Sequence, residues 1–188
     1  MAFTALLDAC VLYSAPVRDL LLRLALADIY RAKWSTDIHA EWMRNLASNR
    51  PDISPAKIER LRDLMDSNVR DAIVENYASL IPTLELPDRD DRHVLAAAII
   101  GRADVIVTYN LDDFPADALD PYGIEAQHPD EFLTHQLDLA PDLVIGVVRD
   151  LRSQLKTPPR SVDDYLTTLE KHDLKAFAAA LRGRTTAF

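Results

Sequence analysis

The stretch Asp91-Arg92-His93-Val94-Leu95-Ala96-Ala97-Ala98 puts an acid at the start of an alanine-rich apolar helix, and the strand-like run Asp104-Val105-Ile106-Val107-Thr108 follows it almost at once. Residues 3–7 form a second strand-like run, which ends in Asp8. Short apolar or β-branched strands separated by helices are typical of three-layer α/β/α architectures. The sequence therefore predicts an α/β fold with a mainly parallel sheet.

Apolar periodicity and turn residues place the other elements of this predicted fold. Further helices are expected at residues 18–31, from Thr36 or Asp37 to about 46, at 55–68 and 71–80, at 92–100 and from 130 onward. Further strands are expected at 34–35 and 123–126, with an extended segment at 83–86. Either Asp90 or Asp91 is expected to cap the helix that Gly101 ends.

The segment after about residue 139 has a different character, since its pattern is helical throughout. Residues 143–155 are amphipathic, and Thr157-Pro158-Pro159 interrupts the pattern. Ser161 and Asp164 have the spacing of a capping box at the start of two further short helices, 162–170 and 174–181. We therefore predict an α/β domain at residues 1–138 and a small all-α C-terminal extension at residues 139–188.

Composition excludes several classes of protein. Of the 188 residues 48% are hydrophobic and 27% are charged, a balance typical of a globular chain. No apolar run is long enough to cross a bilayer, and Asp8 interrupts the apolar N-terminus where a secretory signal would need continuity. The single Cys10 excludes an internal disulfide and a cysteine-based zinc site. The expected location is cytoplasmic, with no membrane partner.

The formal charge of -9 argues at first against binding to nucleic acid. The charge is unevenly distributed, however, because residues 141–188 carry eight Lys or Arg against six Asp or Glu. An acidic body can bind phosphodiesters when divalent cations neutralise a carboxylate cluster. Excess acid that only maintains solubility explains the charge equally well.

The candidate functional residues are acids at element boundaries. Asp8 follows the first strand, Glu41 follows the second, Asp91 starts a helix, and Asp112 and Asp113 lie in the loop after residue 108. In a parallel α/β sheet the carboxyl ends of the strands face one crevice, where ligands bind. Carboxylates that converge there without Cys or His ligands favour Mg²⁺ or Mn²⁺. Each acid alone is more often a helix cap or a solvated surface residue.

With these residues in view, the chain resembles the PIN-domain ribonucleases, and in particular the VapC-like toxins of bacterial type II toxin–antitoxin systems. The resemblance covers about residues 1–135. It depends on four motifs: Leu6-Leu7-Asp8, Ser35 with His39-Ala40-Glu41, the stretch from Asp91 to Ala98, and Val107-Thr108-Tyr109-Asn110-Leu111-Asp112-Asp113-Phe114-Pro115. The helical C-terminal extension is similar to one found in a subset of these proteins.

The resemblance implies that Asp8, Glu41 and Asp91 are the first three acids of the site. Many relatives have an Asp two residues after the threonine, where this chain has Asn110. Asn110 can coordinate through its carbonyl but adds no charge. We therefore expect Asp113 to replace the fourth acid, with Asp112 as the second choice. Thr108 and Ser35 are expected to orient ligands or waters.

The resemblance also implies an activity and partners. The expected reaction is Mg²⁺- or Mn²⁺-dependent endonucleolytic cleavage of RNA to 5′-phosphate and 3′-hydroxyl ends. The expected partners are an RNA substrate, a cognate antitoxin that presents a basic side chain to the acidic site, and a second copy of the chain in a homodimer. Leu61 and Met65 on the middle helices are candidates for the dimer contact.

Two rival functions remain open from the sequence. A phosphotransfer enzyme built on Asp8 usually needs a second Asp two residues later, where this chain has Cys10. A non-catalytic PIN-like interaction module is favoured if Asn110 leaves the site short of ligands. Metal binding through Asp8 and Asp91 distinguishes a nuclease from such a module.

Overall fold

Within residues 3–156 and 160–184, which the computed structural model describes, five parallel strands form a central sheet. The strands are β1 (Thr4–Leu7), β2 (Arg31–Ser35), β3 (Ile73–Val74), β4 (Val105–Val107) and β5 (Glu125–Gln127). Their order in the sheet is β3-β2-β1-β4-β5, and each neighbouring pair is parallel. The predicted parallel sheet is therefore confirmed.

Helices connect and cover these strands. They are α1 (Ala9–Tyr13), α2 (Ala15–Leu26), α3 (Thr36–Asn49), α4 (Pro55–Asn68), α5 (Arg92–Ile100), α6 (Ala116–Leu119), α7 (Pro129–Leu139), α8 (Pro141–Gln154), α9 (Val162–Lys171) and α10 (Lys175–Arg182). Every residue of β1 and β4 is buried, as expected when helices cover both faces of a parallel sheet. The predicted three-layer α/β/α fold is confirmed.

The order of the strands determines where a ligand crevice can form. From β1 the chain builds β2 and β3 on one side, and it then crosses to place β4 and β5 on the other. Leu7 pairs with Val107, so β1 and β4 end side by side. This point, where the direction of strand addition reverses, is the usual ligand crevice of an open α/β sheet.

Two local predictions were wrong. Residues 71–80 are not a helix, because they contain β3 and the start of a 3₁₀ helix, Ala78–Thr83, which also takes up the first residue of the predicted extended segment. Asp71 and Asn76 have positive φ angles of 55° and 63°, which helices exclude. The helix predicted at 18–31 runs instead from Ala15 to Leu26 and leaves Arg31 to begin β2.

The C-terminal helices pack against the α/β layers. α8 contacts α2 and α7, and α10 contacts α7 and α9. The predicted capping box is confirmed, since the Ser161 side chain accepts from the Asp164 backbone N–H and the Asp164 side chain accepts from that of Ser161. The predicted break at Thr157-Pro158-Pro159 lies outside the described residues. The division at residues 138 and 139 stays a prediction.

Asp130 joins α7 to the C-terminal helices. Its two carboxylate oxygens accept from the backbone N–H groups of Ala176 and Phe177, at 2.9 and 2.8 Å. These N–H groups lie in the first turn of α10, where a helix has no internal acceptors. A side chain from another helix therefore provides the cap.

No helix in the described part of the chain combines the length and hydropathy that a membrane span requires.

We expect Asp130→Ala to lower the free energy of unfolding by about 1 to 2 kcal/mol, because it leaves two N–H groups of α10 without acceptors. Urea unfolding followed by circular dichroism measures the change. Glu131→Ala is the matched control, since Glu131 is exposed in the same turn of α7. Equal stability of the two variants would contradict the role of Asp130 as a cap.

Candidate metal centre

Asp8 lies where β1 ends and α1 begins. Its Oδ1 accepts from the Ala9 backbone N–H at 2.7 Å, so this carboxylate caps α1. Its Oδ2 accepts from the Thr108 hydroxyl at 2.7 Å and from the Cys10 thiol at 3.2 Å. Only 4% of Asp8 is exposed. A carboxylate has about four acceptor positions, so three bonds leave roughly one lone pair, on Oδ1, for a further ligand.

The pKa of Asp8 is raised, and burial is the largest cause. The hydrogen bonds from Thr108, Cys10 and Ala9 lower the pKa in part, while the charge of Glu41 raises it. Burial and the Asp8 charge also raise the pKa of the Cys10 thiol to about 12. Cys10 therefore remains a protonated donor to Asp8 and has none of the character of a nucleophilic thiolate.

Thr108 follows β4 and is fully buried. Its hydroxyl donates to Asp8 and accepts from the Asn110 backbone N–H at 3.0 Å. One hydroxyl thus connects the end of β1 with the loop after β4. The predicted orienting role of Thr108 is consistent with this geometry, although what it orients directly is a carboxylate.

Asp91 precedes α5 and is half-buried. It occupies the N-cap position, yet its side chain makes no cap hydrogen bond. The pKa of Asp91 is raised to about 7, first by burial and then by the charges of Asp8, Asp113, Asp88 and Glu41. The expectation that an acid side chain caps this helix is therefore wrong for Asp91. The structure leaves this carboxyl free in a field of negative charge.

Glu41 projects from α3 and forms an ion pair with His93 of α5, with 3.5 Å between Glu41 Oε2 and His93 Nε2. Burial lowers the pKa of His93, but the hydrogen bond and charge of Glu41 outweigh it, and the pKa is raised overall. His93 Nδ1 is buried without a hydrogen-bond partner among the described residues. The sequence did not predict the Glu41–His93 pair. The available signal was the position of His93, two residues after Asp91, which places it near the candidate acids.

The loop after β4 separates the other candidates. Asp112 and Asp113 belong to a 3₁₀ turn, Leu111–Asp113, in which Asp112 is exposed and Asp113 is half-buried. Asp113 is among the charges that raise the Asp91 pKa, and it follows Asp8 in that effect. Asn110 is exposed, and its backbone carbonyl accepts from the Asp113 N–H at 3.1 Å. The field at Asp91 thus favours Asp113 over Asp112 as the fourth acid.

Ser35 is a structural residue in this geometry. It ends β2, is fully buried, and its hydroxyl accepts from the Ile38 backbone N–H at 3.2 Å as the cap of α3. Thr36 and Asp37, which were the expected caps, lie inside the helix. Ser35 therefore positions the helix that carries Glu41.

A second buried network also positions that helix. His39 Nε2 lies 2.9 Å from Asp66 Oδ1, and Trp42 Nε1 donates to His39 Nδ1 at 2.9 Å. Trp34 Nε1 donates to the same Asp66 oxygen at 2.8 Å. Since Nδ1 accepts, His39 is neutral with its proton on Nε2. Asp66 on α4 therefore links Trp34 of β2 to His39 of α3 through hydrogen bonds.

The donor set has the chemistry of a hard-cation site. Asp8, Glu41, Asp91 and Asp113 offer only oxygen, which suits Mg²⁺ or Mn²⁺. Burial first and the neighbouring acids second raise the pKa of Asp91, and His93 contacts only one of these acids, Glu41. In residues 3–156 and 160–184, no group of three or more His, Cys, Asp or Glu side chains is already arranged to hold a metal ion. The residues nevertheless fit such an ion in chemistry, since all four offer carboxylate oxygens.

Comparison with known proteins identifies the family. Residues 4–112 match the family model described as PIN domain, which is more than half of the chain. The chain therefore belongs to the PIN-domain family. Residues 129–183 match a second family model, described as VapC50 C-terminal domain. The resemblance stated from the sequence motifs is confirmed.

One curated relative is the Mycobacterium tuberculosis (strain ATCC 25618 / H37Rv) protein named "Putative ribonuclease VapC50". The two chains are 47% identical over 92 residues, which is 49% of this chain and 54% of that protein. The chain thus spans about half the length of the curated relative that it matches. No solved structure matches the chain.

We expect Thr108→Val to lower the free energy of unfolding by about 1 to 3 kcal/mol, because the Asp8 carboxylate and the Asn110 N–H both lose a partner. Thermal and urea unfolding measure the loss. Thr168→Val is the control, since among the described residues the Thr168 hydroxyl bonds only to the Asp164 carbonyl one turn earlier in α9. A Thr108 variant as stable as this control would show that the buried contact contributes little.

Proposed function

We propose that this protein is a metal-dependent endoribonuclease that hydrolyses RNA phosphodiester bonds to 5′-phosphate and 3′-hydroxyl ends. The observation that carries the proposal is Asp91, a half-buried carboxyl without a cap bond whose pKa is raised to about 7 by burial and by four nearby acids. Such crowding is unfavourable unless a cation binds among the acids. The name of the VapC50 relative, which contains the word ribonuclease, supports the same class of reaction.

In this proposal Asp8, Glu41, Asp91 and Asp113 hold Mg²⁺ or Mn²⁺. A bound dication supplies Lewis acidity and makes a coordinated water more acidic. Asp8 enters the site from the end of β1 with its orientation set by Thr108, Cys10 and Ala9. Asp113 supplies the charge that Asn110 lacks, with Asp112 as the alternative.

The same geometry assigns separate tasks to the neighbouring groups. His93 orients the Glu41 carboxylate through their 3.5 Å contact, and this carboxylate in turn favours the protonated form of His93. Ser35 and the Asp66–His39 contact hold α3, and Thr108 holds the loop that carries Asn110 and Asp113. These positioning groups are buried or half-buried, so the candidate ligands project from a well-packed base.

The phosphotransfer alternative is disfavoured by the surroundings of Asp8. A carboxylate nucleophile must reach the phosphorus, whereas Asp8 is 4% exposed and accepts three hydrogen bonds. A non-catalytic interaction module would not require acids to crowd together in the crevice. Mn²⁺ binding that depends on Asp91 separates this module from a nuclease.

We further propose that the protein is the toxin of a toxin–antitoxin pair, that it acts in the cytoplasm on RNA, and that it forms a homodimer. A cognate antitoxin would neutralise the acidic crevice with a basic side chain. Of the two suggested dimer residues, Met65 is 2% exposed and belongs to the core, so that part of the expectation is wrong. Leu64, on the same helix, is 48% exposed and replaces it as the candidate. The proposal also includes a boundary between an α/β unit that ends at residue 138 and a helical extension that begins at residue 139.

The first test is RNA cleavage by Asp8→Asn and Asp91→Asn variants with Mg²⁺ or Mn²⁺. We expect a rate loss of roughly 100-fold or more for each, since a lost ligand weakens the Lewis-acid stabilisation of the transition state. EDTA should abolish cleavage by the wild type, and the products should carry 5′-phosphates. Asp104→Asn is unsuitable as a control because Asp104 accepts from the Thr4 N–H, so the exposed Asp117→Asn serves instead. Undiminished cleavage by Asp91→Asn would refute the proposed site.

The fourth acid is tested by comparing Asp113→Asn with Asp112→Asn. We expect only the Asp113 variant to weaken Mn²⁺ binding markedly, because Asp113 is half-buried and contributes to the field at Asp91. Isothermal titration with Mn²⁺ measures the affinity and requires no RNA. The reverse order of effects would assign the fourth position to Asp112.

A further inference from the structure

A cleft of about 730 Å³ lies where α1 and α2 meet α4 and the turn between α9 and α10. Its wall includes Cys10 and Tyr109. The Cys10 thiol donates to Asp8 and accepts from the Tyr109 backbone N–H at 3.3 Å. Cys10 therefore belongs both to the wall of this cleft and to the hydrogen bonds around Asp8.

Arg18 also lines this cleft, and it is a buried cation. It is 6% exposed, its Nη1 donates to the carbonyls of Leu12 and Tyr13 at 2.8 and 3.4 Å, and its guanidinium lies 5.7 Å from the Trp42 ring centroid. Its Nε is buried with no partner, and among the described residues Arg18 forms no ion pair. A buried charge normally has a counter-charge. Burial lowers the pKa of Arg18 and the charge of the neighbouring Asp19 raises it, so Asp19 acts on this guanidinium from beyond ion-pair distance.

Further cations lie along the same cleft. Lys57 on α4 and Lys171 at the end of α9 are exposed and form no ion pair in the described ranges. Arg50 is engaged by Asp52 at 2.7 and 2.8 Å, and Asp173, a carboxylate of this lining, pairs with Lys175 at 3.3 Å. Arg18, Lys57 and Lys171 thus share a space in a chain whose net charge is -9. We call this space the cationic cleft.

We propose that the cationic cleft binds the phosphate backbone of a single RNA strand on its way to the carboxylate site, with Arg18 as the buried phosphate anchor. The proposal rests on the nuclease function proposed above. A planar guanidinium suits phosphate oxygens, and single strands are commonly held by a cationic groove with aromatic rings. Tyr13 and Tyr109 line the cleft and supply such rings.

Continuity with the carboxylate site is the reason to favour RNA over an acidic protein segment. A phosphate chain that reaches crowded acids needs cations along its path, and the lining that holds these cations also includes Cys10, which donates to Asp8. The C-terminal extension completes this path. Lys171 lies in it, the Tyr109 hydroxyl donates to the His172 carbonyl at 2.8 Å, and Ser14 Oγ lies 3.1 Å from His172 Nδ1. The α9–α10 turn is therefore a wall of the proposed substrate path.

The test measures binding of a fluorescein-labelled oligouridylate by anisotropy, with EDTA present so that cleavage cannot interfere. The main variant is Lys57→Gln/Lys171→Gln, whose two sites are exposed and leave the fold intact. We expect roughly tenfold weaker binding, and a plot of log affinity against log salt that is shallower by about 1.4, since each single-strand phosphate contact contributes about 0.7. Arg18→Gln should weaken binding similarly, with folding checked by circular dichroism.

The matched control is Arg31→Gln/Arg102→Gln, which removes the same charge from two exposed positions. Arg31 begins β2 and Arg102 precedes β4, so both lie at the amino ends of the strands, away from the carboxyl ends that carry Asp8 and Thr108. Control binding equal to the wild type, together with weaker binding by the cleft variant, supports the proposal. Equal affinities for the wild type and the folded cleft variant overturn it. Competition by polyglutamate as strong as that by unlabelled RNA also overturns it, in favour of an acidic protein segment.

A parallel cleavage assay with Mn²⁺ separates this proposal from the nuclease proposal. RNA binding through the cleft without any cleavage by the wild type refutes the nuclease and leaves the cleft as an RNA-binding surface. Cleavage by the wild type together with unchanged binding and cleavage by the cleft variant refutes the cleft alone.

Discussion

The parallel pairing of β1 with β4 brings Asp8 and Thr108 to adjacent strand ends, and their 2.7 Å hydrogen bond is the contact on which the candidate site depends. Because Asp8 is almost fully buried, its carboxylate requires donors, and Thr108, Cys10 and the Ala9 N–H supply them. The same Thr108 hydroxyl accepts from Asn110 and so sets the start of the loop that carries Asp113. This buried hydrogen bond therefore fixes Asp8, at the end of β1, relative to Thr108 and the loop that follows β4.

Around this contact the fold accumulates negative charge and compensates it only in part. Asp8, Asp113, Asp88 and Glu41 all raise the Asp91 pKa, while His93 meets one of these acids, Glu41. Coulomb repulsion among carboxylates falls slowly with distance in a half-buried crevice, so acids that do not touch still affect one another. The arrangement stores an unfavourable interaction that a divalent cation would remove. This is the physical basis of the proposed hydrolase.

The C-terminal helices belong to the same electrostatic and structural unit. Asp130 caps α10 from α7, and the His172 turn contacts Tyr109 and Ser14 near the end of β4 and the start of α2. These contacts place Lys171 beside Arg18 and Lys57 along one cleft. An acidic protein can thus keep a positive path to an acidic crevice, with the extension providing part of its wall.

Local sequence patterns determined the strands other than β3, most of the helices, the Ser161 capping box and the position of the acids at element boundaries, because backbone propensity and apolar periodicity act over a few residues. Residues 71–80 were predicted wrongly since pairing of Ile73 and Val74 with β2 outweighed their helical pattern. Only the tertiary structure decided that the Asp91 side chain makes no cap hydrogen bond, that Glu41 meets His93, and that Arg18 is buried without an ion pair among the described residues. These properties arise between residues far apart in the chain, where burial and charge depend on distances that no local pattern encodes.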